Sequence, residues 1–220
     1  MKNLKVRVPA YLLGLFIMTV GVALSVKSNL GVSPVSSIPY TMTRVWGIEM
    51  GNATIIFHCV LVFIQFLILR KKFSPLILLQ IPVGVIFGKF TTFCNYLASF
   101  FPTPDNMILR LALSLASCFI VAFGIFWYVP VNLIPLAGEG CMGAISETAK
   151  IEFAKVKIAF DCTMVIVSCV TCLIALKNFG SVGVGTVIAA VLVGVILGFM
   201  VRKFGKARDR FLGNAEKCAE

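Results

Sequence analysis

The chain has 220 residues, of which 59% are hydrophobic and only 13% charged, with a mean hydropathy of +0.99 and a formal net charge of +11. No soluble globular chain needs that much apolar surface. Several runs of about 20 residues are nearly free of charge, which is the length that crosses ~30 Å of hydrocarbon. The runs are continuously apolar rather than alternating, which argues against a β-barrel. The basic residues flank these runs, so they mark topology and attraction to anionic lipid rather than nucleic acid.

In chain order, Lys2, Lys5 and Arg7 precede a first apolar run from Val8 to Val26. Ala23-Leu24-Ser25 has the look of a cleavage site, but the run is long for a signal peptide and takes part in the repeat described below, so it is expected to be retained as span 1. A stretch broken by glycine and proline follows, Leu30-Gly31-Val32-Ser33-Pro34-Val35-Ser36-Ser37-Ile38-Pro39-Tyr40. Ser33 is a good N-cap and Pro34 suits the first helical position, so a short helix is expected from Pro34 to about Arg44. Trp46 is an interfacial anchor. Span 2, from about Ala53 to Leu69, carries His58 and is closed by Arg70-Lys71-Lys72. Span 3 starts near Ser74-Pro75, reaches about Leu97 and contains Lys89. A Pro-Thr-Pro-Asp-Asn turn leads to span 4, Met107 to Val129. A second broken stretch, Leu133 to Gly143, is followed by a short polar helix through about Ala149. Span 5, Val156 to Leu176, carries Asp161; span 6 runs from Val182 to Val201; and the basic tail from Arg202 to Glu220 is expected on the membrane surface.

With the N-terminus inside, fifteen of the 20 lysines and arginines fall on one side and four on the other, with Lys89 in a span. The positive-inside rule then makes both termini cytoplasmic. The eight cysteines mostly lie inside spans, where cysteine behaves as a small apolar residue, and Cys169 and Cys172 form a CxxC within a helix. Neither a disulfide framework nor a metal site is implied.

Sliding the chain by 103 residues superposes its halves from span 1 through most of span 2. Phe16 meets Phe119, Gly21 meets Gly124, Asn29 meets Asn132, and His58-Cys59 meets Asp161-Cys162. The third spans match at a shift of 110, where Gly84 and Gly88 meet Gly194 and Gly198. Three spans per repeat is an odd number, so the second copy enters from the opposite face. The expected fold is an all-α membrane protein of six transmembrane helices in two inverted three-span repeats, each with a short broken or re-entrant helix. Residues 1–103 form repeat one, 104–203 repeat two, and 204–220 a cytoplasmic tail. Inverted repeats with discontinuous helices are a common plan of secondary transporters, and non-helical backbone at membrane depth tends to line a cavity.

Gly31-Val32-Ser33-Pro34 after a first span ending in Asn29-Leu30, together with the two-fold repeat and the length, resembles the YczE/YyaS/YitT-type bacterial membrane proteins. The resemblance covers nearly the whole chain and implies a bacterial inner-membrane protein of four to six spans, with little implied about mechanism. It carries over Gly31, Ser33 and Pro34 as motif positions. It also implies an acid near the end of span 3, where this chain has Lys89.

Seven residues are candidates for substrate binding: Ser33, Pro34, Asn29, Asn132, Gly138, Glu139 and Lys89. His58 and Asp161 are candidates for proton coupling, because an ionisable group inside a span is costly unless it is used or paired. Each has a structural alternative. His58 and Asp161 suit interhelical hydrogen bonds, Lys89 suits snorkelling to the outer interface, Glu139 suits helix capping by charge, and the asparagines suit helix ends. The GxxxG pairs of spans 3 and 6 suit helix packing. HExxH, GxxxxGK[ST] and the nucleophile elbow are absent, so neither catalysis nor a cofactor is expected. The expected function is a secondary transporter or exporter of a small anionic or amphiphilic solute, coupled to protons. The alternative is a non-transporting membrane factor that binds a partner or senses a ligand and influences gene expression. The expected partners are the solute, the bilayer with anionic lipid at the basic inner face, and a second copy in a homodimer, with no nucleic acid.

Overall fold

A computed structural model describes residues 4–213. The secondary structure of these residues is helical, with no strand among them. The helices are α1 (Leu4–Ser28), α2 (Pro34–Trp46), α3 (Met50–Leu69), α4 (Gln80–Ser99), α5 (Met107–Tyr128), α6 (Ala137–Ala149), α7 (Phe153–Leu176) and α8 (Val184–Phe211). Six of them, all but α2 and α6, are long and apolar enough to cross a membrane. Their exposed positions are large and apolar, as at Ile108, Ile174 and Val187, which is the surface a hydrocarbon solvent requires. The six-span all-helical expectation is borne out, and α2 starts at the expected Pro34. Starts at 107, 137 and 153 follow starts at 4, 34 and 50, each 103 residues on.

α1 and α5 pack along their length in opposite directions, and glycine makes the approach close. A methyl on Gly14 would stand 2.8 Å from the Tyr128 nitrogen, and one on Gly21 2.9 Å from the Val121 nitrogen. α2 runs beside α7 in the same direction: the Ser168 hydroxyl donates to Ser37 Oγ (2.8 Å), and further along Cys172 approaches Thr41. α6 lies against α3, where Ala137, Cys141 and Met142 share a core with Phe57, Leu61 and Val62. α4 packs on α1 and α3, whereas α8 packs on α5 and makes no extended contact with α7.

Two local features differ from the sequence expectations. Ser33 occupies the N-cap position of α2, but its hydroxyl donates to Ser36 Oγ (3.1 Å) and caps no backbone N–H. The basic segment after Val201 does not leave α8: the helix continues to Phe211, and Leu212 is fully buried in the core of Tyr11, Leu15, Tyr128 and Leu136. Arg208 explains this docking. A proline at position 130 has no N–H to return to the Phe126 carbonyl; Arg208 Nη1 donates to that carbonyl (3.2 Å), and its guanidinium lies over the Phe126 ring at 4.6 Å. The remainder of the expected tail, 214–220, lies outside the described residues, as does Lys2.

Candidate functional site

The two broken stretches approach each other in the interior. A methyl on Gly138 would stand 3.5 Å from Val35 Cγ1, so the first turns of α2 and α6 meet. Each stretch begins with an asparagine in the left-handed region, Asn29 at φ 52° and Asn132 at φ 50°. Asparagine tolerates this conformation better than most residues, and here it ends α1 and the turn after α5. Both asparagines are exposed.

Beside the start of α6 is a cavity of about 150 Å³, lined by Tyr11, Tyr128, Asn132, Ile134 and Glu139 among others. Its walls follow from unsatisfied backbone. The Tyr11 hydroxyl donates to the Ile134 carbonyl (2.7 Å) in the non-helical segment. Leu136, at the N-cap of α6, has no polar side chain to cap the helix, and its own N–H donates to the Tyr128 hydroxyl (2.7 Å), which in turn donates to the Glu139 carboxylate. Glu139 stands at the third helical position, where a negative charge offsets the helix dipole. Burial pushes its carboxyl above the ordinary range, against the opposing effects of the Tyr128 hydrogen bond, the Lys157 charge and the Leu136 N–H. The site therefore holds a carboxyl able to take and release a proton, or to meet a cation, at the end of a helix.

The remaining candidates are spread over other parts of the fold. Pro34 and Gly138 are buried where the short helices meet. His58 is 4% exposed, stacked on Phe87 with ring centroids 5.7 Å apart and set over Gly84; its Nδ1 is buried without a partner. Asp161 pairs with Lys157 one turn earlier on α7 (2.8 Å), and its Oδ1 is buried without a partner. His58 and Asp161 are not brought together. Lys89 is exposed. It is near the level of the first turn of α3, because a methyl on the adjacent Gly88 would stand 2.7 Å from the Gly51 carbonyl. Close by, Thr92 donates to Glu49, the residue that caps α3 (3.0 Å). That position suits an ammonium reaching for the interface.

Four polar residues went unsingled in the sequence. Nothing in sequence spacing marks Tyr11 or Tyr128 as partners of the α6 start. Gln65 and Gln80 had a signal, since an amide inside an apolar run needs a partner. The Gln65 amide donates to Gln80 Oε1 (2.9 Å) and to the Ala137 carbonyl (3.2 Å), tying α3, α4 and α6 together. A second cavity, about 380 Å³ and almost wholly apolar, lies between α2, α3 and α7, with Thr41, Ser168 and Thr171 on its wall.

This arrangement defines an α-helical membrane protein of six spans with two short interior helices. The chain belongs to the family of unknown function DUF6198, whose pattern matches residues 5–202. It is similar to the uncharacterized membrane protein YczE of Bacillus subtilis (strain 168), at 26% identity over 199 residues, which is 90% of this chain and 86% of that protein. The YczE-type resemblance is thereby borne out. No solved structure matches.

Proposed function

We propose that this protein is a secondary transporter of a small amphiphilic solute in the bacterial inner membrane, with both termini cytoplasmic and with proton movement through Glu139. The observation that carries the reading is the half-buried Glu139 carboxyl, held by Tyr128 and facing a cavity beside the non-helical segment that leads into α6. Discontinuous helices at a repeat interface are where transporters bind solute. We also propose that the two halves are inverted repeats. The common offset of 103 in helix starts supports this, as does the antiparallel packing of α1 on α5. So does the pairing of α2 with α7 and of α3 with α6.

The site favours an amphiphilic or cationic solute over an anionic one, because the positive end of α6 already has its own carboxylate. His58 and Asp161 are proposed as secondary titrating groups, Asp161 being tied to Lys157. No residue is assigned a catalytic role and no cofactor is invoked. Anionic lipid at the basic cytoplasmic face and a homodimer belong to the same proposal.

The test is solute flux in proteoliposomes with an internal pH dye, using solutes first selected by thermal shift of the purified protein, since a ligand stabilises by mass action. Solute-driven acidification is expected in wild type and lost in Glu139→Gln, with smaller effects in His58→Ala and Asp161→Asn. Stabilising solutes that never cross the bilayer would instead favour a second reading, a ligand-sensing membrane factor, for which the apolar cavity between α2, α3 and α7 is the docking surface.

A further inference from the structure

The two halves are not in the same state. In the first half, α4 closes on α3 through glycines. A methyl on Gly84 would stand 2.7 Å from His58 Nδ1, and one on Gly88 would run into the Ile55 side chain. The equivalent residues of the second half are Asp161 and Ile158 on α7 and Gly194 and Gly198 on α8. There, nothing lies within 4 Å of a methyl on Gly194 or Gly198, Ile158 is 65% exposed, and α7 and α8 make no extended contact.

The ends of these helices differ in the same sense. The start of α8 is pressed against the first broken stretch: Gly185 N–H donates to the Leu30 carbonyl (2.8 Å), and a methyl on Gly185 would stand 3.1 Å from Ser114 Oγ. Ser114 is the equivalent of Tyr11, and Gly31 of Ile134. The space around Tyr11 and Ile134 is the cavity that holds Glu139. One broken stretch is therefore covered by backbone while its counterpart is open.

We infer that this structure is one of two arrangements of the chain, and that in the other α8 closes on α7, with Gly194 over Asp161 and Gly198 over Ile158, while α4 leaves α3. The inference rests on the inverted-repeat reading above. The first half shows what covers the second: the α4 glycines admit His58 and Ile55, and the α8 glycines offer the same room for Asp161 and Ile158. Small residues allow helices to approach closely in lipid, where packing rather than water drives association. The exchange keeps α4 on α1 and α8 on α5. The turn between α7 and α8 contains Gly180, at φ 49°, and Gly183, which suits it to take up the rotation. The cavity at Glu139 would then close and its counterpart near Ser114 and Ser36 would open. Such an exchange is alternating access by rigid-body motion of helices about a fixed interior.

The test is disulfide cross-linking in a background with the eight native cysteines replaced by serine or alanine. One variant carries Glu49→Cys and Thr92→Cys, at side chains that meet in this structure, the other Glu152→Cys and Arg202→Cys, at the equivalent positions of the second half. The first pair is expected to cross-link readily. The second is expected to cross-link more slowly, within one chain. In the four-cysteine variant, prior closure of the first pair is expected to suppress the second at least tenfold. The inference is overturned if the second pair never links, links only between chains, or links at the same rate whether or not the first is closed. If the replaced background does not fold, spin labels on exposed Ile166 and Val195 (60% and 61% exposed) report the α7–α8 separation: two distance populations are expected, and a single one overturns the inference. Cross-links that behave as expected in a protein that moves no solute would end the transport reading and leave this one standing.

Discussion

Val35 and Gly138 touch in the interior of the protein, with 3.5 Å between Val35 Cγ1 and the position a Gly138 methyl would take. They are 103 positions apart, the same offset that separates the starts of α2 and α6. Their juxtaposition fits the two-fold relation proposed above between the halves. The three glycines of α6 differ in the room around them.

Gly138, Gly140 and Gly143 share one helix and are expected to respond differently to alanine. Gly138→Ala makes ordinary contact with Val35, and Gly143→Ala points into open space. Both are expected to hold or raise stability, by up to about 1 kcal/mol, through helix propensity. Gly140→Ala collides with the amides of Gln65 and Gln80 and is expected to cost about 1–3 kcal/mol as overpacking. Thermal unfolding of the three purified variants in one detergent checks the order. A stable Gly140→Ala would mean that the Gln65–Gln80 pair is not packed as described.

Arg208 is expected to stabilise the end of α5 because of Pro130. Arg208→Ala removes the donor to Phe126 O and is expected to cost about 1–3 kcal/mol, since the hydrogen bond involves a charged group. Pro130→Ala returns an N–H to the helix. In that background the cost of Arg208→Ala should shrink by roughly 1 kcal/mol, within the range of coupling between residues that share a partner. Equal costs in both backgrounds would remove the proline from the explanation.

Glu139 gives stability a pH dependence of known sign. Burial raises its carboxyl pKa in the folded protein, so the native state binds this proton more tightly than the unfolded chain. The resulting stabilisation is fully present below the unfolded carboxyl pKa and is lost as pH rises through the folded value. Unfolding temperature, followed upward from the ordinary carboxyl range, is expected to fall more steeply in wild type than in Glu139→Gln. Identical slopes would show that another group dominates.

Asn29 and Asn132 separate conformation from binding. Both sit at positive φ, a region that costs most residues about 1–2 kcal/mol. Asn29→Val and Asn132→Val are expected to lose about that much stability, whereas glycine at either position should be close to neutral. If Asn132→Gly keeps its stability but no longer responds to a solute that stabilises wild type, the side chain contacts that solute.

The sequence by itself determined the membrane class, the six spans and the start of the first short helix. These follow from local physics. Hydrocarbon demands about 20 apolar residues per crossing, and a proline at the first helical position fixes Pro34 as the start of α2. The 103-residue offset was likewise visible as matched pairs such as Asn29 with Asn132. Only the tertiary structure decided which polar groups meet. Tyr128 reaches Glu139 because the chain turns back between them, Arg208 reaches Phe126 across 82 positions, and His58 is sealed under Phe87 and Gly84, whereas the Lys157–Asp161 pair is four residues apart on one helix, a contact that spacing alone provides. The glycine pairs of α4 and α8 read alike in sequence, and only packing distinguishes the closed pair from the open one. Long-range contacts depend on how helices cross in three dimensions, and spacing along a single helix carries no record of its neighbour.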